Sequence, residues 1–406
     1  MVQITRRGLV ALPLAAALPR PGRAQAAPIR IGVLNDQSSV FSDTSGMGSV
    51  IAAQLAAEDA EAQFGIKAEI LSADHQNKAD IGSAIARDWF DRGGVSAVAD
   101  LGNSAVALAV NTVAREKDRA CLVSAGGTTL LTGAQCAPTT VHWTYDTYAT
   151  ANALARALVA DRKESWFFIT ADYAFGQSLQ DESSRALARL GGKVVGAIKH
   201  PLNNADFSAH LLQAQASGAK VVAFANGGDD TGRCAKQAHE FGLVPAQTLV
   251  GLAMLVTDAR ATGLDSTAGM LVSETFYWNM NDGTRTFSAR WSKRNHDREP
   301  TMMQAGVYGV VLHYLRAVHA LNGATGGAAA VRQMKAMPTD DPAFGKGIIR
   351  PDGRKIHDNY VFQVKEPSQS KGPWDVYNLV STIAGVDAFR PMADGGCPLL
   401  SALEKG

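Results

Sequence analysis

The sequence is poor in the patterns that most catalytic and metal sites require. Its 406 residues hold four cysteines and nine histidines. The cysteines, Cys121, Cys136, Cys234 and Cys397, form no CxxC pair, which removes the common zinc frameworks. There is no HExxH, no GxSxG and no GxxxxGK[ST], so a zincin, a serine hydrolase and a phosphate loop all lack their signatures. SGMGSV at 45–50 has two glycines of a dinucleotide fingerprint without the third, and reads as a plain helix start. Charge of one sign is also missing. With 39 basic against 38 acidic residues and no basic run, the chain has neither a nucleic-acid footprint nor a membrane patch. Nothing in these patterns calls for a metal or a cofactor, and no positive signal for an enzyme remains.

Long apolar runs are absent too, and the amino terminus shows why that matters. Arg6 and Arg7 precede an uncharged stretch at 8–18, followed by Ala24, Gln25 and Ala26 as a small-x-small cleavage site. The stretch is far below the roughly 20 residues that span a bilayer, so it reads as an export signal over 1–26. TRRGLV resembles a twin-arginine signal with Leu9 where Phe is usual. Either export route leads to the periplasm, and no Cys follows the cleavage site to take a lipid. Removal of 1–26 takes four Arg and no acid, leaving 35 basic against 38 acidic residues. In an oxidising compartment a disulfide persists. Cys121 with Cys136 closes the shortest loop, Cys136 with Cys397 would tie down the C-terminal region, and free buried thiols suit Cys121 and Cys234; the sequence leaves these open.

What is present is a regular alternation. IRIGVLND, IKAEILSAD, VSAVAD and RACLVSA are short β-branched runs separated by helix-length segments, and SWFFITAD, KVVGAIKH, KVVAFANG, TLVGLAML and AGMLVSETFYW repeat the pattern. Strand and helix at this spacing predict right-handed crossovers, so the fold class is α/β with parallel sheets in two lobes, the chain crossing between them near 141–146. Val307, Val310, Val311, Tyr314, Leu315 and Val318 form a helical stripe that belongs to the core. Beyond Pro338, a stretch rich in Pro, Gly and Asp reads as loop and hairpin, and NYVFQVK as a late strand.

Ligands of open parallel sheets sit beyond the carboxyl ends of the strands. Four such ends, at 37–41, 102–104, 124–129 and 225–229, carry small or hydroxyl residues. In CLVSAGGTT, at 121–129, main-chain N–H groups and the hydroxyls of Ser124, Thr128 and Thr129 would cradle an anion. Tyr145, Tyr148, Tyr173, Phe175, Phe276, Tyr277 and Trp278 stand at the edges of the second lobe, and two or three of them are expected to wall the cleft. Asp229 and Asp230 follow a glycine pair and read first as helix-start acids.

IRIGVLNDQSSVFSD, VSAGGTTLLTGAQC, HWTYDTYATANALA, FFITADYAFGQSL, HPLNNADFSAHLLQAQASGAKVVAFANGGDD and PTDDPAFGKGIIRPDGRKIHDNYVFQVK together resemble the periplasmic solute-binding proteins of ABC transporters of the branched-chain amino acid type, including a subgroup that binds aromatic carboxylates. The resemblance implies two lobes joined by three hinge crossings, 27–144 with about 279–356 and 145–278 with about 357–406. It implies a monomer that closes on its ligand and delivers it to a membrane permease, with no cofactor. Carried across, it makes Ser124, Ala125, Gly126, Gly127 and Thr128 the carboxylate cradle, with Asn103 or Ser104 beside it. Phe41 becomes a lid, Phe175 a contact from the second lobe, and Asp229 the residue after the glycine pair; Tyr148, Tyr173, Asn226, Phe276 and Tyr277 complete the candidate set. The resemblance also implies that amino acid binders place an acid after the strand equivalent to TLVGLAML, and 251–255 offer none. Unless Asp229 takes that role, a small, largely apolar carboxylate is therefore the expected ligand, an aromatic acid or a hydrophobic amino acid with the aromatic acid favoured, since an unpaired buried ammonium costs several kcal/mol. The competing expectations are a periplasmic sensor built on the same clamp and a periplasmic hydrolase. A side chain at Gly126 is expected to abolish binding and leave the fold intact.

Overall fold

The computed structural model describes residues 1–3 and 27–403. The candidate export signal around Arg6, Arg7 and 24–26 lies outside the described residues.

The first lobe is built on β1 (Ile29–Asn35), β2 (Ala68–Asp74), β3 (Val95–Asp100), β4 (Ala120–Val123) and β5 (Thr140–His142), in the order β2-β1-β3-β4-β5 and parallel throughout. VSAVAD is buried at every position of β3, as a strand covered by helices on both faces must be. The second lobe carries β6 (Ser165–Ala171), β7 (Lys193–His200), β8 (Val221–Ala225), β9 (Thr248–Gly251) and β10 (Leu271–Glu274). A small antiparallel sheet, β11 (Thr339–Asp341), β12 (Gly345–Ile349) and β13 (Lys355–Ile356), forms the hairpin expected after Pro338. β14 (Asn359–Val364) and β15 (Tyr377–Ile383) then return to the second lobe, whose order is β15-β14-β10-β9-β8-β6-β7 with β14 and β15 antiparallel to their neighbours.

Helix Met302–Ala320 starts at a reciprocal cap, Thr301 Oγ1 accepting from Gln304 N–H at 3.3 Å and Gln304 Oε1 from Thr301 N–H at 3.0 Å. Its stripe from Val307 to Val318 is buried in the first lobe among Leu55, Val141 and Trp143. The chain crosses between lobes at 143–146, 275–281 and 357–358. Arg354, with no exposed surface, ties the first crossing to the third: its Nη2 donates to the Thr144 carbonyl at 2.7 Å and its Nη1 to the Tyr145 carbonyl at 3.2 Å, with the Asp146 carboxylate at 3.5 Å. A buried guanidinium is tolerable only with such a set of acceptors.

Cys136 is disulfide-bonded to Cys397, while Cys121 and Cys234 are buried free thiols. The bond corrects one expected boundary. After β15 the chain runs back across the hinge: Asn152 Nδ2 of the second lobe still donates to the Asp387 carbonyl at 2.7 Å, Phe389 packs over Arg354, and from Arg390, whose Nη2 donates to the Thr129 carbonyl at 2.9 Å, the contacts are with the first lobe. The last described residues thus belong with the first lobe, since the disulfide fixes them there.

Candidate ligand site between the lobes

One cavity lies where the strand ends of both sheets meet. Its first-lobe wall comes from Phe41 and Thr44 after β1, Gly102, Asn103 and Ser104 after β3, Ala125 and Gly127 after β4, and Met303. Its second-lobe wall comes from Tyr173 and Phe175 after β6, Gly227 and Gly228 after β8, and Ala253, Leu255 and Asp258 after β9, with Tyr145 at the first crossing. The carboxyl ends of parallel strands converge here because each crossover enters its helix on this side. The space between these walls is narrow and lined mainly by apolar and small residues, so it suits a small ligand.

The first-lobe wall is shaped by strained backbone. Asp100 and Leu101 both have positive φ, 83° and 62°, which turns β3 sharply into the 102–104 loop. The Asp100 carbonyl accepts from the N–H groups of Ser124 and Ala125, each at 3.1 Å, so those two donors are already spent. The N–H groups of Gly127, Thr128 and Ser104 donate to nothing within the described residues. Asn103 caps helix Ser104–Glu116, its Oδ1 accepting from Ala105 N–H at 2.9 Å and Val106 N–H at 3.3 Å. This leaves Ser104, with its free N–H and hydroxyl, at a helix N-terminus that borders the cavity, a setting that favours an anion. Phe41 is held by its own main chain, Phe41 N–H donating to Asp36 Oδ2 at 2.8 Å. Burial works against the charge on Asp36, but its hydrogen bonds from Phe41, Ser39 and Asn77 win and hold it below the usual carboxylate range.

The lobes touch across the cavity. A Cβ on Gly127 would stand 2.9 Å from both Phe175 Cε2 and the Tyr145 hydroxyl, and one on Gly228 would stand 3.2 Å from the Val40 carbonyl oxygen. The Tyr145 hydroxyl donates to the Ala125 carbonyl at 3.2 Å. Asp258, in the first turn of helix Val256–Thr262, accepts from Leu255 N–H at 2.9 Å. Burial, followed by the nearby Asp229 and Asp43 carboxylates, pushes the Asp258 carboxyl up to about 7. Among the described residues, no group of three His, Cys, Asp or Glu side chains could hold a metal, and no helix is long and apolar enough to cross a membrane.

Residues 28–373 match the family described as periplasmic binding protein. The chain belongs to this family. No curated protein matches it. Among solved structures it is similar to a periplasmic binding protein from Burkholderia mallei, with 41% identity, 92% of this chain and 99% of that chain covered and a TM-score of 0.87. It is also similar to a branched chain amino acid ABC transporter periplasmic ligand-binding protein from Burkholderia xenovorans LB400, with 36% identity, 91% and 99% covered and a TM-score of 0.85. A solute binding protein of an ABC transporter from Rhodopseudomonas palustris BisB5, in complex with 3,4-dihydroxy benzoic acid, shares the fold at 20% identity, with 88% and 98% covered and a TM-score of 0.78. The two lobes are the type I periplasmic binding architecture, and the function class is the substrate-binding component of an ABC transporter, which takes a small molecule and works with permease subunits.

In this periplasmic binding protein Phe41, Asn103, Ser104, Ala125, Gly127, Tyr173 and Phe175 meet at the cavity, while the other candidates lie elsewhere. Ser124 Oγ is buried against Thr144 Oγ1 at 3.0 Å and donates to the Met303 carbonyl. Gly126 packs on Ala107 and the Leu101 carbonyl inside the first lobe, and Thr128 Oγ1 accepts from Leu130 N–H to start a short turn of helix. Tyr148 lies under the Arg189 guanidinium at 5.2 Å. Asn226 is buried between His200 and Thr231. Asp229 points outward and pairs with Arg233 at 3.3 Å. Phe276 packs with Phe287 and Phe344 in the first lobe. Tyr277 is drawn into the second-lobe core, its hydroxyl donating to the Trp374 carbonyl at 2.8 Å beside Tyr377. Tyr145 joins Tyr173 and Phe175 as the aromatics of the seven that wall the cavity, which also holds residues outside the candidate set, Thr44, Leu255, Met303 and above all Asp258. VTDARAT carries a first-turn acid that a helix-start reading beyond Leu255 could have flagged.

Proposed function

We propose that this periplasmic binding protein captures a small, largely apolar carboxylate between its lobes and presents it, closed, to a permease. The observation that carries this reading is the pair of unused first-lobe donor sets on a narrow apolar cavity, Ser104 N–H and hydroxyl at a helix N-terminus and Gly127 N–H after β4. These groups are suited to the carboxylate, and Phe41, Phe175, Leu255 and Met303 to the body. Among the described residues no Arg or Lys lines the cavity, so the main chain and the helix end supply the attraction, typically 0.3 to 1 kcal/mol for each such end and up to about 2 when partly buried. Closure adds the larger share by removing the ligand's apolar surface from water. The aromatic acid bound by the Rhodopseudomonas palustris structure and the amino acid class named for the Burkholderia xenovorans protein supply the two ligand families to try.

The test is a melting screen of the whole protein against benzoates, cinnamates, keto acids and hydrophobic amino acids. A cognate ligand at 100 times its Kd adds about 2.7 kcal/mol of stability. Absence of any shift across all four classes, or turnover of a ligand by the pure protein, would remove the reading.

A further inference from the structure

Among the described residues Asp258 is the one carboxyl group in the cavity wall. Its Oδ2 is occupied by Leu255 N–H, its Oδ1 has no hydrogen-bond partner among the described residues, and the residue borders both the cavity and an outer groove shared with Gly228, Asp229, Arg233 and Lys236. The groups around it are mostly acids. Asp43 faces it from the β1 loop and Asp229 from helix Asp229–Glu240, and their charges act on it. Glu274, fully buried at the end of β10, and the Tyr377 phenol of β15 feel its charge in turn. The nearby cations are engaged elsewhere: Arg233 with Asp229 and Asp230, Arg298 with Asp43 at 2.7 Å, and Arg260 over the Trp374 ring at 4.4 Å, while Lys236 lines only the outer groove. A partly buried carboxyl in an apolar wall, with two other acids close by, holds its proton up to about pH 7 in the free protein.

Resting on the ligand reading above, we propose that Asp258 couples capture to a proton: a carboxylate ligand that also carries a hydrogen-bond donor, hydroxyl or ammonium, takes over Asp258 Oδ1 and drives its proton into solvent. The balance is one proton leaving the carboxyl for buffer and one ligand X–H bond pointing at the carboxylate that remains. Asp258 then prefers its charged form in the complex and its neutral form in the free protein. Affinity for a donor-bearing acid therefore rises with pH, approaching tenfold per pH unit below about 7. An acid without a donor leaves the proton in place, and its affinity falls as pH rises above about 7.

Calorimetry of the whole protein near pH 6, in two buffers of different ionisation enthalpy, counts the protons released. The probes are 3,4-dihydroxybenzoate, L-leucine and benzoate. Release of close to one proton with the hydroxyl or the ammonium probe, and of none with benzoate, is expected; whichever donor-bearing probe binds tells hydroxyl from ammonium. If a donor-bearing probe binds with no proton release between about pH 5.5 and 6.5, or if benzoate alone binds, the proton coupling is wrong while the ligand reading stands. If none of the three binds but another acid from the melting screen does, that acid is titrated in the same way, and proton release or its absence decides in the same sense; if nothing binds, the ligand reading itself has failed. Asp258→Asn keeps an acceptor for Leu255 N–H, so the helix start survives. It should abolish proton release, flatten the pH profile and weaken the donor-bearing probe at least tenfold, and an unchanged pH profile would overturn the proposal.

Discussion

Gly126 and Gly127 are neighbours with opposite surroundings. A side chain at Gly126 would meet Ala107 and the Leu101 carbonyl, both 2.9 Å from its Cβ, inside the first lobe. Gly126→Val should therefore cost about 1 to 3 kcal/mol of stability by overpacking, read in a denaturant titration, in contrast to the expectation that it spares the fold. At Gly127 the same change pushes on Phe175 and Tyr145 across the cavity. Gly127→Val should leave the unliganded melting temperature nearly unchanged, hold the lobes apart in small-angle scattering and weaken ligand binding by more than about tenfold. A binder that tolerates it would show that this contact does not govern closure. The sequence announces small residues after β4, but not which of them turns toward the cleft. That depends on Asp100, whose left-handed backbone places its carbonyl under Ser124 and Ala125 and shifts the free donors two residues on. Non-glycine residues at positive φ leave little trace in composition. Tyr277 and Phe276 leave the candidate set for a related reason: an aromatic at a strand end is equally at home in core or cleft, and the core claims both.

At the scale of elements sequence and structure agree far better, because period and spacing are written in the residues themselves. β1 to β4, β6 to β10 and β14 all fall on runs visible in the sequence, and the buried helix from Met302 follows its apolar stripe. β5 has only three residues and β15 is buried only at Tyr377, so neither carries a strong pattern. The element of most consequence for the site is helix Ser104–Glu116, aimed by its cap. Asn103→Ala removes the acceptor for Ala105 and Val106 and should cost about 1 kcal/mol. Asn103→Asp restores the cap and the stability, yet puts a negative charge beside the proposed carboxylate seat and should lower affinity for an anionic ligand. Stability by denaturant titration and affinity by calorimetry separate the two effects; equal affinity for both variants and the parent would place the anion elsewhere.

For the whole molecule, the binding of two separate lobes into one hinge rests on buried polar chemistry around Arg354. His142 and Arg354 pair main chain to main chain as an isolated β-bridge, His357 Nε2 lies 2.8 Å from the Thr144 carbonyl oxygen, and burial beside Lys355 and Arg354 keeps the His357 ring neutral. Outside this hinge the disulfide adds a covalent link between residues 261 positions apart. Replacing both Cys136 and Cys397 by Ser should cost about 2 to 4 kcal/mol, measured as a drop in the denaturant midpoint, while the Cys121→Ser variant tests only a buried thiol. If the double variant keeps its midpoint, the tail does not contribute to holding the molecule together.

That stapled tail also decides how opening and shutting could be watched. Both ends of the described fold, Ile29 in β1 and Cys397 on Cys136, ride on the same half of the clamp. Dyes placed at those two points would keep a constant separation while ligand comes and goes, and an experimenter would record silence from a working machine. A dye moved to the turn at Pro367, between the two strands at one edge of the other half, would turn the same motion into light.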